Sequence, residues 1–147
     1  MTGTIPTTYS RGQYGTKLSG NASANMGDVV LTQTGTVAYT DVTATPKTLF
    51  RVPAYSQACV IQINVLTAFD ASTLNMLSVG VSGNVGYFVS GASVGTAGIV
   101  TIATSSNLNN WSSVGSSDVI VIASHSSTGT GATQGVAQVT MLYAMKS

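Results

Sequence analysis

From Cys59 to Phe69 the side chains alternate with a period of two: Cys59, Ile61, Ile63 and Val65 fall on one face, and Val60, Gln62, Asn64 and Leu66 on the other. That period belongs to a β-strand, and the first set is its expected core face. From Asp28 onward the chain repeats the same style, with short β-branched runs separated by Gly, Ser, Asn and Pro. The predicted strands are Val29–Thr32, Thr36–Thr40, Thr48–Val52, Cys59–Phe69, Met76–Val81, Val85–Ser90, Gly98–Ala103, Val119–Ser124 and Val136–Ala144. No segment carries a convincing helical period. An all-β fold follows, an antiparallel β-sandwich of eight or nine strands, jelly-roll-like, spanning residues 29–147.

Individual strands carry positional information. Ala137, Val139, Met141 and Tyr143 alternate against Gln138 and Thr140, which marks a sheet with one dry and one wetter face. Val119 to Ile122 are apolar on both faces, so that strand is either central in a sheet or covered by a partner. Pro46 and Pro53 bracket the third predicted strand, which suits an edge. Gly83-Asn84, Gly91 to Gly98 and Gly129 to Gly135 are expected to be hairpins or longer loops.

Residues 1–28 differ in kind. They are rich in Thr, Ser, Gly and Asn, carry Arg11 and Lys17 with no acid before Asp28, and have no sustained periodicity. This reads as an extended N-terminal arm, expected to lie on a neighbouring subunit with Tyr9, Arg11, Tyr14 and Lys17 as its partner-binding residues. Its first twenty residues hold no apolar core segment, so neither a secretory signal nor a membrane span is expected, and synthesis is expected in the cytoplasm. Asn21-Ala22-Ser23 and Asn110-Trp111-Ser112 are accordingly taken as chance matches to the glycosylation pattern.

Charge narrows the function classes. Charged residues are 6% of the 147-residue chain, against roughly 25% in a typical soluble domain, and Glu is absent. Ser and Thr, 19 and 21 residues, take their place. A surface of that kind, on a chain of net charge +1, lets copies pack closely without mutual repulsion. Five basic residues in no cluster cannot neutralise a row of phosphates, so nucleic acid is not an expected partner.

Chemistry finds little material. General acid–base work needs carboxylates or histidines converging in a cleft, and the chain offers Asp28, Asp41, Asp70, Asp118 and His125. Asp70 and Asp118 read as turn residues bonding their own backbone. His125, in Ser124-His125-Ser126-Ser127, reads as a surface-loop residue, since no nucleophile elbow accompanies it. One His and one Cys far apart give no metal signature, and Gly129-Thr130-Gly131 lacks the lysine of a phosphate-binding loop. Cys59 is expected as a small buried hydrophobe. No catalytic, cofactor-binding or metal residues are assigned. Trp111, flanked by amides in Asn109-Asn110-Trp111-Ser112, is either an exposed ring that a sugar could stack on or a cap over one end of the core, and with His125 it marks a candidate contact loop.

The stretches Leu49-Phe50-Arg51-Val52-Pro53-Ala54, Thr67-Ala68-Phe69-Asp70, Leu77-Ser78-Val79-Gly80 and Ser82-Gly83-Asn84, with Gly131-Ala132-Thr133-Gln134-Gly135 leading into the last strand, resemble virion proteins of tailed bacteriophages that carry jelly-roll or sandwich domains. The resemblance covers about the last two-thirds of the chain. It implies a non-enzymatic structural protein of the virion, a capsid decoration or cement protein held on the outer shell, with the major capsid protein as partner and a homo-oligomer, a trimer by preference. The alternative is a carbohydrate- or receptor-binding module of a phage tail or fibre, with Trp111 and the Gly91 to Gly98 or His125 to Gly135 loops at its tip.

Overall fold

The computed structural model describes residues 29–102 and 111–145. Within them lie eight strands: β1 (Val29–Ala38), β2 (Lys47–Val52), β3 (Gln57–Thr67), β4 (Leu74–Val81), β5 (Asn84–Ser93), β6 (Gly98–Ile102), β7 (Val119–Thr128) and β8 (Val136–Met145). One sheet has the order β1-β8-β3-β6 and the other β2-β7-β4-β5, with every pairing antiparallel. Apart from the β4–β5 hairpin, each connection passes from one sheet to the other. That is the jelly-roll arrangement of a two-sheet sandwich.

Period-two alternation builds the core. Ile61, Ile63 and Val65 of β3 and Ala137, Val139 and Met141 of β8 turn inward from the first sheet, and Val52, Leu77, Val79, Val121 and Ala123 meet them from the second. β7 is central, between β2 and β4, one of the two positions the doubly apolar run allows, and β2 is an edge strand.

Three expectations need correction. Val29–Thr32 and Thr36–Thr40 merge into one strand that ends at Ala38, because Gln33-Thr34-Gly35 continues the ladder to β8 without a break in register. Gly35 is no turn: a Cβ there would come within 2.8–2.9 Å of the Leu49 side chain, so the glycine admits β2 against β1. Cys59 is not a core residue. A bulge between Ala58 and Val60 shifts the phase of β3, so that Ala58, Ile61 and Ile63 face inward while Cys59 is only half-buried. Finally, Gly91 lies inside β5 and not in a loop. Tyr9, Arg11, Tyr14 and Lys17 lie outside the described residues.

Candidate functional site

Jelly-roll connectivity gathers the loops at two ends. The β1–β2, β3–β4, β5–β6 and β7–β8 loops share one, and hydrogen bonds between distant parts of the chain knit them together. Tyr39 N–H donates to Gly135 O at 3.0 Å, Phe69 N–H to Val94 O at 3.1 Å, and Ser72 N–H to Thr130 O at 3.1 Å. Thr130 N–H returns a bond to Ser72 Oγ at 2.8 Å.

His125 sits beneath these loops, near the end of β7. The surface-loop expectation is wrong for a local reason: Ser124, Ser126 and Ser127 look like loop residues, yet the strand runs on to Thr128, and His125 is 1% exposed. Its N–H donates to Asp41 O at 2.7 Å, and its ring lies 4.6 Å from that of Phe69, tilted by 41°. Nε2 is 3.2 Å from Asn75 Oδ1. Asn75 is itself buried, with Oδ1 accepting from Ala71 N–H at 3.1 Å and Nδ2 donating to Ala71 O at 3.0 Å. These two bonds fix the amide, so Nε2 carries the proton. Burial holds the imidazole pKa below its ordinary 6.5, and a backbone hydrogen bond to Tyr39 opposes that shift less strongly.

Asp70 works from the surface. Its Oδ1 accepts from Thr133 N–H at 2.7 Å and Gln134 N–H at 3.1 Å, and its Oδ2 from the Thr133 hydroxyl at 2.8 Å. The carboxylate thus staples the β7–β8 loop to the β3–β4 loop, a longer reach than a bond to its own turn. Donation by the Thr133 backbone, then its hydroxyl, then the Gln134 backbone lowers the Asp70 pKa below 3.8. Gly135 completes this end with φ +145°; a Cβ there would run into the Phe69 ring.

The opposite end carries the β2–β3, β4–β5 and β6–β7 connections. Trp111, in helical conformation, is 4% exposed and donates from Nε1 to Phe88 O at 2.9 Å. Of its two sequence readings, the core cap is the one realised, and the exposed platform is not: a ring that large is buried where its one polar atom finds a carbonyl. Val114 N–H donates to Ser56 O at 2.9 Å, and Tyr55 N–H to Gly115 O at 2.7 Å. Asp118 likewise reaches beyond its own turn, accepting from Ala54 N–H at 3.1 Å and facing Arg51 at 3.6 Å. Trp111 and His125 therefore belong to opposite ends, not to one contact loop.

Asp70 and Asp118 each brace a loop, and Asp41 Oδ2 accepts from Ala38 N–H at 2.8 Å. Among the described residues no three of His, Cys, Asp or Glu group around a point that could hold a metal ion. The arrangement offers surfaces in place of convergent reactive groups. One of them is the outer face of the first sheet. Rows Thr34–Thr140–Gln62 and Thr36–Gln138–Asn64–Ile99 cross it, and Thr32, Leu142 and Val60 form the next row. Thr34 and Thr140 hydroxyls bond at 2.8 Å. No charged residue occurs in these rows, a feature that spacing alone could not place on one face.

No family model and no curated protein matches the chain. Solved structures do. A chain of the acidic stable capsid of Helicobacter pylori bacteriophage KHP30 superposes with a TM-score of 0.61 at 14% identity, covering 82% of this chain and 91% of that one. A chain of the cyanophage Pam1 capsid asymmetric unit gives 0.57 at 17% identity, over 97% and 100%. A chain of the Ralstonia phage GP4 capsid gives 0.54 at 17%, over 82% and 85%. The fold of this chain is thus one found in the capsids of bacteriophages.

Proposed function

We propose that the protein is a capsid decoration, or cement, protein: a non-enzymatic jelly roll bound to the outer face of a phage shell, stabilising it by burying surface across subunits. The observation that carries this reading is one of size. The capsid chains it superposes on are covered over 85–100% of their own length, which supports reading the sandwich as the counterpart of an entire capsid chain. A charge-free outer sheet supports it, because a face without like charges can lie against identical copies or a shell lattice with no repulsion to overcome. The partner in this reading is the major capsid protein, the oligomer a trimer on a local symmetry axis, and residues 1–28, with Tyr9, Arg11, Tyr14 and Lys17, supply the arm that reaches the neighbouring subunit.

The test is to add purified protein to shells that lack it, measuring bound copies per major capsid protein and the melting temperature of the shell. Saturable binding at a lattice ratio with a raised melting temperature is expected; shells that take up none, or melt unchanged, sink the proposal. The glycan-binding alternative placed Trp111 with neighbouring loops at an exposed tip, and with that ring in the core no specific observation favours it.

A further inference from the structure

A sandwich has four sheet edges, and an undefended edge is a template for another strand. Three of the four are guarded here. β2 lies between Pro46 and Pro53, carries Lys47 and Arg51, and is bulged between Thr48 and Phe50. β6 has five residues. β5 is kinked by two register shifts against β4. β1 has none of these devices: its ten residues run in unbroken register with β8, and it holds no proline and no charge between Asp28 and Asp41. Its first turn of strand is also openly apolar, with Val29 61%, Val30 58% and Leu31 39% exposed. Among the described residues no strand pairs with its outer edge.

We infer that β1 is a pairing edge whose occupant is β1 of a second copy, joined antiparallel about a two-fold axis so that the first sheets of two molecules become one. An antiparallel ladder leaves the N–H and C=O of alternate residues of an edge strand pointing outward, so both copies offer matching donors and acceptors. The uncharged Thr32, Thr34 and Thr36 row then meets its own copy without repulsion, and threonine pairs across strands are favourable. Val29 to Leu31 gain apolar cover from the partner. The contact is isologous, so in an assembly built from trimers it ties one trimer to the next.

The experiment is sedimentation of the full chain across a concentration series, comparing wild type with the double variant Thr32→Lys/Thr36→Lys, which places ammonium groups along the edge, and with Ser90→Lys/Ser126→Lys, which adds the same charge to the other sheet. Circular dichroism and a cooperative melt check that each is folded. The expected result is a wild-type mass that is an even multiple of the chain mass, halved in the edge variant and kept in the control. Concentration-dependent amide protection along Val29–Ala38 should disappear in the edge variant alone. A wild-type mass that is a single chain at all concentrations, or one that the edge lysines leave unchanged, overturns the inference. So does an edge variant whose mass is unchanged but which no longer binds shells, because that assigns the edge to a strand of the shell.

Discussion

The two ends of the sandwich are closed by different physics. At the Trp111 end one large ring fills the gap between the sheets and spends its single polar atom on Phe88 O. At the His125 end the closure is distributed: Asn75, His125, Asp41 and Asp70 hold four loops through bonds between distant parts of the sequence, the longest from His125 to Asp41. An apolar plug depends on volume and ignores pH, whereas a hydrogen-bonded lattice depends on every partner being present and in the right protonation state. Substitutions should separate the two.

Trp111→Ala should cost most, about 3–5 kcal/mol in urea unfolding, because it combines lost burial with a cavity. A loss under about 1 kcal/mol would mean that the ring is not the plug. Asn75→Ala comes next. It leaves Ala71 N–H, Ala71 C=O and His125 Nε2–H in search of partners, each costing about 1–3 kcal/mol if it stays buried and unpaired. Here the contrast with the other end sharpens, because amide exchange should accelerate in the β1–β2, β3–β4 and β7–β8 loops and stay unchanged around Ser56 and Val114.

Acidification should strike only the hydrogen-bonded end. His125 is folded in its neutral form with a lowered pKa, so below 6.5 the unfolded chain takes a proton that the folded chain refuses. Stability is then fully present above 6.5 and declines as pH falls toward the lowered value, and His125→Gln should flatten that decline in melting-temperature profiles. Asp70 acts in a more acidic window. Its folded pKa lies below 3.8, so its contribution is present above 3.8 and is lost as pH falls through the folded value; Asp70→Asn should remove that limb and free the Thr133 loop. Equal acid sensitivity at the Trp111 end would break the comparison. The smallest effect belongs to Arg51→Ala, under about 1 kcal/mol, since the Arg51–Asp118 pair is exposed on both sides. Asp118→Ala should exceed it, because that carboxylate also holds Ala54 N–H.

Strand existence was legible in the sequence because alternation is a local signal, and β8 announces its dry face outright. Strand order was not. β1 pairs with β8 across more than a hundred residues, and nothing at Val29 or Met145 names the other. The phase of β3 was misread because a bulge costs no unusual residue: Cys59 looks like the start of the core face and the extra residue pushes it aside. His125 reads as a loop residue, and Trp111 stays open between two readings, for a shared reason. Small polar neighbours signal a loop only when no sheet lies beside them, and both residues are held by elements distant in sequence, Asn75 and Phe88.

The position of β8 in the middle of its sheet has a consequence for biogenesis. β1 and β3 flank it and have no ladder with each other, so until residues 136–145 have left the ribosome β1 has no partner strand and stands apart from the β3–β6 pair. With so many of its pairings nonlocal, such a chain should fold slowly for its size. Newly made copies therefore spend time with open β edges, and the β1 strand, already synthesised and still unpaired, is exposed to capture during that interval.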